Sequence, residues 1–184
     1  MGLDYTNGCV NFRDVGGYIN LITNTNQFVK GKLFRGGSID YVKNHNEIQN
    51  AKTIINLRNS IDDVLFQAEY CHFPMSNKIE KYDTSQKEVQ IWLNQIIKIF
   101  EDPELKFPVF VHCLSGKDRT GIVIAAILSI IGVKKEIIIE EYLLSEGEVQ
   151  EKWIEQALNG MQDLNAYFNR VNLVEVRRNL KELL

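Results

Sequence analysis

The chain carries the sequence FPVFVHCLSGKDRTG at positions 107–121. The residues before the histidine are apolar and favour the β conformation, which predicts a buried central strand. Residues 122–133 are almost all apolar and predict a buried helix. A strand, a short loop and a helix in this order point the loop's N–H groups and the positive end of the helix dipole at one place. The stretch therefore predicts an α/β fold with an anion-binding loop between a central strand and a helix.

Two reactive side chains, Cys113 and Arg119, lie in this loop. The loop amides and the guanidinium of Arg119 both favour a thiolate over a thiol at Cys113, which would make the cysteine a nucleophile. The planar fork of Arg119 matches two oxygens of a phosphoryl group, and backbone amides can hold the third. We expect Cys113 and Arg119 to be catalytic, with no metal or cofactor. The predicted substrate-binding residues are Leu114, Ser115, Gly116, Lys117, Asp118 and Arg119.

The loop resembles the His-Cys-x5-Arg-Ser/Thr signature of the cysteine-dependent protein tyrosine phosphatase superfamily. The run Gly-Lys-Asp-Arg-Thr-Gly at 116–121 is similar to the bacterial and fungal tyrosine phosphatase branch, which includes enzymes acting on phosphotyrosine and phosphoinositides. Further stretches agree with that branch: Asn11–Tyr18 followed by Leu33–Gly37, and Glu141–Ser145. The resemblance implies a phosphatase that works through a phosphocysteine intermediate, with its phosphate loop at Cys113–Arg119.

The rest of the chain predicts strands that alternate with helices, and hence a central, mostly parallel sheet with helices on both faces. We expect strands at 53–57 and 69–73, and a helix that opens at Thr84 or Ser85. This helix carries one apolar stripe, which must pack on the sheet. The stripe residues are Val89, Trp92, Leu93, Ile96, Ile97 and Phe100.

Three other segments have weaker local patterns. Residues 17–35 alternate short β-like runs with turns rich in Asn, Thr and Gly, which predicts a hairpin or a small edge sheet. Ser38 is of an N-cap residue type and predicts a short helix to about His45. The helices predicted for the C-terminal region lie at 135–145, 148–158 and 161–183.

Cleavage of a phosphate ester is helped by a proton donor at the leaving oxygen, a role that suits a carboxylic acid. Asp83 is the first candidate, because it lies in a polar loop before Cys113. Its interval from the cysteine is similar to that of the acid in dual-specificity phosphatases. The other interpretation is that Asp83 caps the following helix. Asp118 is the second candidate, since a bound phosphate would favour its protonated form; its other role would be a hydrogen bond to loop amides. The Thr120 hydroxyl could assist release of the thiolate and also cap the helix.

Several polar residues near the loop have roles that the sequence leaves open. His112 is expected to orient the loop through a hydrogen bond to the backbone. Asp62 and Asp63 follow Arg58 in a turn and are expected to be solvated, although the family's Asp-Leu-Arg is Asn-Leu-Arg here at 56–58. The residues expected either to line the pocket mouth or to pair with a nearby carboxylate are Arg13, Arg35, Arg58 and Tyr82.

The charges of the loop and of the whole chain indicate which substrate classes the protein can accept. Lys117 matches the second loop lysine of tensin-homologue phosphoinositide phosphatases, and the run at 118–120 is similar to that of myotubularin and Sac-type lipid phosphatases. A substrate with more than one phosphate would gain from this lysine. The net charge of −3 gives little attraction to a membrane, so membrane contact is expected to be at most peripheral. Phosphorylated proteins and phosphoinositides or inositol phosphates both stay open as substrates.

Loop cysteines and anion-binding loops also occur in other classes of protein. A loop cysteine can be structural, as a small buried hydrophobe. A catalytically silent phosphate-binding module would normally lack the cysteine or the arginine. A sulfurtransferase has no need of Arg119 with Lys117 and Asp118, and an arsenate reductase needs a resolving cysteine, for which Cys71 is the one plausible residue. A nucleotide-binding Walker loop is excluded because Gly116 lacks the preceding glycine of that motif and the Lys is followed by Asp.

Composition predicts a single phosphatase domain over residues 1–184, with 45% apolar residues and no linker or repeat. The net charge gives no reason to expect nucleic acid as a partner. Three scattered cysteines favour a reducing compartment. No signal peptide is recognised, so we expect a cytoplasmic protein, or one exported by another route, and a monomer. The first six residues also fit the loose pattern for N-myristoylation at Gly2.

Overall fold

The structure, a computed structural model, describes residues 8–184 and contains a five-stranded sheet. The predicted myristoylation at Gly2 lies outside the described residues. The strands are β1 (Arg13–Asp14), β2 (Leu33–Gly36), β3 (Thr53–Asn56), β4 (Glu69–His72) and β5 (Val109–His112). The α-helices are α1 (Val15–Thr23), α2 (Lys87–Lys98), α3 (Asp118–Ile130), α4 (Lys135–Leu143), α5 (Glu151–Gly160), α6 (Leu164–Tyr167) and α7 (Leu173–Asn179). Short 3-10 helices span His45–Ile48, Ile99–Glu101 and Leu180–Leu183.

Strand β5 lies at the centre of the sheet, whose order is β1-β2-β5-β3-β4. β1 pairs antiparallel with β2, and the other pairings are parallel. Val111 of β5 lies in register with Arg35 of β2 on one side and Ile55 of β3 on the other. Because parallel strands end at the same edge of a sheet, the loops after β2, β3 and β5 meet there. The predicted mostly parallel sheet is confirmed, and the anion-binding loop follows its central strand.

The two faces of the sheet are covered differently, because successive side chains of a strand point to opposite faces. Leu33, Ile55 and Val111 belong to the larger core, to which every α-helix of the described chain contributes buried residues. Ile54 and Phe110 belong to a smaller core under the first 3-10 helix and the neighbouring loops. The sheet is flanked by helices as predicted, but the α-helices described here lie on one face only.

The predicted helix with one apolar stripe is confirmed as α2, although it begins at Lys87 and not at Thr84 or Ser85. Its stripe is buried. Trp92, the largest stripe residue, is 5% exposed and donates a hydrogen bond from Nε1 to the Phe73 carbonyl, which ties the helix to the end of β4. Further along, α4 and α5 confirm two of the C-terminal helices. The continuous helix predicted for 161–183 is divided instead, because Asp163 and Asn172 each cap a new helix start with their side chains. None of the helices within residues 8–184 is long and apolar enough to cross a membrane.

The prediction of a hairpin at 17–35 is wrong in its first half, where the chain forms α1. The Asp14 side chain accepts a hydrogen bond from the Gly17 N–H and caps this helix. Ile19 is fully buried against the larger core, and that burial outweighs the low helix propensity of the two glycines in the first turn. The last β-like run of the segment is present as β2.

The short helix predicted from Ser38 to His45 is absent, and turns occupy this segment. Ser38 does not cap a helix: its hydroxyl contacts the Asp40 carboxylate at 2.9 Å, and its backbone N–H has a partner in the phosphate loop. The helical turn that does form begins at His45 and is a 3-10 helix.

Candidate active site

Cys113 is the first residue after β5 and is 4% exposed. The phosphate loop carries the chain from there to α3, which begins at Asp118. The loop that Cys113 begins therefore leads to the N-terminal end of a buried helix, where the helix dipole and free N–H groups favour a negative charge.

The carbonyl groups of the phosphate loop are held by residues from the N-terminal part of the chain. Leu114 O accepts from the Ser38 N–H at 2.9 Å. Ser115 O accepts from Asn11 Nδ2 at 2.8 Å, and Gly116 O accepts from Arg35 Nη2 at 3.0 Å. Because a trans peptide unit points its C=O and N–H in opposite directions, fixing these carbonyls turns the following N–H groups the other way. Successive N–H groups aimed at one side make an anion-binding concavity.

Gly116 is required by this packing. Its φ is +68°, and an added Cβ would lie 2.3 Å from the Gly36 carbonyl carbon. The neighbouring Gly37 likewise leaves room for the Leu114 carbonyl, 2.9 Å from where its Cβ would be. The glycines of the loop and of the segment after β2 thus let two backbones approach each other directly.

A buried cluster of charges lies behind the loop. Glu141 of α4 accepts hydrogen bonds from Arg13 Nε at 2.8 Å and from Arg35 Nη1 at 2.6 Å. The Ser145 hydroxyl oxygen accepts from both guanidinium groups, at 3.1 and 3.4 Å. Two arginines around one carboxylate leave an unbalanced positive charge, and Arg35 lies near enough to Cys113 for their charges to interact. The cluster therefore favours a bound phosphate.

Burial changes the pKa values of Arg35 and Glu141 in this cluster. It lowers the pKa of Arg35 to about 10, and the nearby charge of Arg13 acts in the same direction; the guanidinium is still protonated at neutral pH. Burial alone would raise the pKa of Glu141, but the charges of Arg13 and Arg35 outweigh it and hold the pKa below its ordinary value. Arg13 and Arg35, expected either at the pocket mouth or as partners of a carboxylate, are buried partners of Glu141.

Arg119, the predicted phosphate-binding arginine, lies on the first turn of α3. Its Nη1 donates to the Leu57 carbonyl at 2.8 Å, and its Nη2 donates to Oδ1 of Asn77. Leu57 directly follows β3, and Asn77 belongs to the segment between β4 and α2. These two contacts orient the planar guanidinium at the carboxyl edge of the sheet, beside the loop that Cys113 begins.

The two candidate acids have different surroundings. The Asp118 carboxylate lies in the loop itself and accepts a hydrogen bond from the Tyr82 hydroxyl at 2.5 Å. Asp83 is bonded within its own turn, to Ser85 Oγ at 2.5 Å and Gln86 Nε2 at 3.0 Å. These hydrogen bonds, that of Ser85 foremost, lower the pKa of Asp83, which favours its ionised form. Asp83 is also not the N-cap of α2, since that position is occupied by Gln86.

His112 does not bond to the backbone as predicted. Its Nε2 lies 2.9 Å from Oδ2 of Asp62, and its Nδ1 is buried without a hydrogen-bond partner. The expectation that Asp62 is solvated is wrong as well: it is 3% exposed and is bonded to Tyr70 and Arg58. Asp62 lies within reach because the loops after β3 and β5 leave the same edge of the sheet. Arg58 joins this group through Asp62 and Asp40, as a structural partner.

Thr120 and Lys117, two further residues of the loop, have different surroundings. The Thr120 hydroxyl is fully buried and has no hydrogen-bond partner, so its proton is free for a departing thiolate. Lys117 is partly exposed, with its Nζ 3.9 Å from Oδ1 of Asp118. Within residues 8–184, no group of three or more His, Cys, Asp or Glu side chains could hold a metal ion.

The residues that hold the loop and Arg119 are not apparent from the sequence. The motifs that contain Asn11 and Glu141 carry the family resemblance, but no local pattern shows what these two residues do, and none assigns a role to Asn77. The signal that could have found the first two was the joint presence of the motifs at 11–18, 33–37 and 141–145, since polar residues in separate segments can serve one loop.

One known protein is similar to part of this sequence, and two solved structures are similar to its fold. A stretch of 42 residues is 45% identical to the triple specificity protein phosphatase PtpB of Mycobacterium tuberculosis. It covers 23% of this chain and 15% of the mycobacterial protein. Two solved structures share the fold. The core catalytic domain of the PP-IP phosphatase Siw14 from S. cerevisiae has a TM-score of 0.52 at 17% identity, over 78% of this chain and 93% of that one. DUSP15 has a TM-score of 0.54 at 16% identity, over 84% and 95%.

A protein-family model matches most of the chain. The family model described as the Tyrosine phosphatase family matches residues 5–183, which include the phosphate loop and the three motifs that hold it. The chain therefore belongs to the tyrosine phosphatase family.

Proposed function

We propose that this protein hydrolyses phosphate monoesters of the phosphotyrosine and phosphoinositide type through a phosphocysteine intermediate. One observation carries the proposal: the carbonyls of the phosphate loop are tied back by Ser38, Asn11 and Arg35, so that the N–H groups turn toward the side on which Cys113 and Arg119 would meet a phosphoryl group. Such a preorganised set of donors stabilises the charge that develops on the oxygens in the transition state.

The reaction has two steps. In the first, the Cys113 thiolate attacks phosphorus, an S–P bond forms and the ester P–O bond breaks, while Asp118 gives its proton to the leaving oxygen. In the second, water attacks the phosphocysteine and gives a proton back to Asp118. The S–P bond breaks, inorganic phosphate leaves, and the buried Thr120 hydroxyl is free to donate to the departing thiolate.

The choice of Asp118 over Asp83 as the acid rests on their surroundings. Asp118 directly precedes Arg119 in the phosphate loop. Asp83 is held in its ionised form by hydrogen bonds within its own turn. The partner that faces the loop from the segment before α2 is Tyr82, not Asp83.

The proposed substrate class is supported by the charge of Lys117 and by similarity to a known phosphatase. Lys117 provides a positive charge beside the loop for a second phosphate, and the similar mycobacterial protein is a triple specificity phosphatase by name. A phosphorylated protein, or a phosphoinositide or inositol phosphate, is therefore the proposed partner. A cytoplasmic location, or export without a recognisable signal peptide, stays a prediction, and so does a monomeric state. The free thiols of Cys9, Cys71 and Cys113 support a reducing compartment.

The test is a phosphate-release panel of phosphotyrosine peptides, phosphoinositides and inositol polyphosphates. Wild-type protein is expected to release phosphate from at least one class, and Cys113→Ser is expected to bind phosphate analogues but release none, since it keeps the shape of the site without the thiolate. Lys117→Met should reduce kcat/KM more for substrates with several phosphates than for phosphotyrosine peptides. Turnover by Cys113→Ser, or none by the wild type on any substrate, would contradict the proposal.

A further inference from the structure

Two tyrosines lie behind the carboxylate of Asp118. The Tyr82 hydroxyl is 2.5 Å from Oδ1 of Asp118, and the Tyr142 hydroxyl is 2.7 Å from that of Tyr82. Both tyrosines are almost fully buried, at 5% and 1% exposed. The carboxylate of a residue in the phosphate loop is thus connected to the interior by a short chain of hydroxyl groups.

The direction of these hydrogen bonds follows from the donors available. An ionised carboxylate only accepts, so Tyr82 must give its single hydroxyl proton to Asp118. Tyr142 must then donate to the oxygen of Tyr82. Burial raises the pKa of Tyr82, and the hydrogen bond to Asp118 raises it further, so this hydroxyl stays protonated and a donor at neutral pH.

The Tyr82 ring is held from several sides. It stacks on Trp153 of α5 with ring centroids 5.8 Å apart, and it meets the Tyr142 ring edge-on at 6.3 Å. Its backbone N–H donates to Oε1 of Glu80 at 3.1 Å. Three separate elements, the segment before α2 and helices α4 and α5, therefore determine where the hydroxyl lies.

We propose that Tyr82 is a positioning residue for the general acid: by occupying Oδ1 of Asp118, it leaves Oδ2 to carry the proton and fixes the side chain in the orientation that delivers it. This inference rests on the proposed function and on Asp118 as the acid. Two oxygens of one carboxyl group are equivalent in water. A fixed donor on one of them makes them unequal, so the acid proton is found on the other.

The role predicts a particular kinetic pattern. Tyr82→Phe keeps the ring and its packing and removes one hydroxyl. A general acid contributes about 10²–10⁴-fold, mainly for leaving groups that need a proton, so a misplaced acid should lose part of that factor. Tyr82→Phe should lower kcat/KM for alkyl and unactivated aryl phosphates about tenfold or more, and for activated aryl phosphates no more than about twofold.

The experiment is a double-mutant cycle between Tyr82→Phe and Asp118→Asn. The measured quantity is kcat/KM for a series of aryl and alkyl phosphates. The concentration of active sites is determined from the burst of released aryl alcohol. Tyr167→Phe is the matched control, because Tyr167 is also buried and its hydroxyl donates to a backbone carbonyl, that of Thr84, rather than to Asp118. We expect the leaving-group effect of Tyr82→Phe to vanish in the Asp118→Asn background, and Tyr167→Phe to leave leaving-group dependence unchanged.

Several results of this experiment would overturn the positioning role of Tyr82. The same effect of Tyr82→Phe with and without Asp118 would mean that the hydroxyl acts independently of Asp118. Equal slowing of good and poor leaving groups would mean that the hydroxyl has no part in proton donation. Either result overturns this inference while the phosphatase assignment stands. A Tyr82→Phe effect reproduced by Tyr167→Phe would overturn it too. A wild-type protein that turns over no substrate would overturn the proposed function together with the inference.

Discussion

The buried guanidinium of Arg35 donates a hydrogen bond to the carbonyl oxygen of Gly116, at 3.0 Å. A second nitrogen of the same group donates to Glu141 at 2.6 Å. One planar side chain thus joins the phosphate loop to α4, and the loop conformation depends on a residue that comes from the neighbouring strand.

Arg35→Lys tests this connection. Lysine keeps the charge but cannot present two donors in a fixed fork, so we expect lower kcat/KM and weaker inhibition by vanadate, which mimics the five-coordinate phosphoryl group. Removing one partner of a buried ion pair costs about 3–5 kcal/mol, and the free energy of unfolding should fall by some part of that. Arg177→Lys is the matched control, since Arg177 also donates to a backbone carbonyl, that of Ile130, on the last turn of α3. Unchanged vanadate affinity in Arg35→Lys would contradict the role.

Glu141 should make stability depend on pH. Its pKa in the folded protein lies below its ordinary value of 4.5, because the two arginines favour the carboxylate more than burial opposes it. The stabilisation is therefore complete above the pKa of the unfolded chain and is lost as the pH falls through the lower pKa of the folded protein. Urea unfolding from pH 7 to pH 3 should show wild-type stability falling below about pH 4.5 more steeply than that of Glu141→Gln. Parallel curves for the two proteins would show that Glu141 does not contribute.

Arg119→Lys should cost several orders of magnitude in kcat/KM. The lysine retains a positive charge, but it loses the bidentate match to the equatorial oxygens of the transferring phosphoryl group. Aryl phosphate hydrolysis measures the loss. Asn77→Ala, which removes only one acceptor of the arginine, should have a much smaller effect. Arg119→Lys activity within about tenfold of wild type would mean that the arginine is structural.

The acid can be identified from leaving groups. Asp118→Asn should slow alkyl phosphates much more than activated aryl phosphates, whose leaving groups depart without a proton. Asp83→Asn should slow neither selectively, since this side chain is bonded within its own turn. The comparison uses kcat/KM at one pH for each substrate. The reverse pattern would place the acid at Asp83 and leave Asp118 a structural role.

The sequence by itself determined the parts of this protein that depend on neighbouring residues. The strand, the loop and the helix around Cys113 are continuous in the chain, and their residue types are sufficient to predict a nucleophile and an anion-binding loop. The buried stripe of α2 was predictable for the same reason, because helical periodicity is a local property.

Only the tertiary structure decided which side chains hold that loop and which carboxylate faces it. Arg13 and Glu141 are 128 residues apart, and Arg35 and Gly116 are 81 apart, so no local pattern relates them. Asp62 was mistaken for a solvated residue, because burial of a carboxylate depends on partners that other strands supply, here His112 and Tyr70. The same holds for Asp83 and Tyr82: adjacent residues in one turn point in different directions, and the packing of Tyr82 against Trp153 and Tyr142 determines which of them reaches the site.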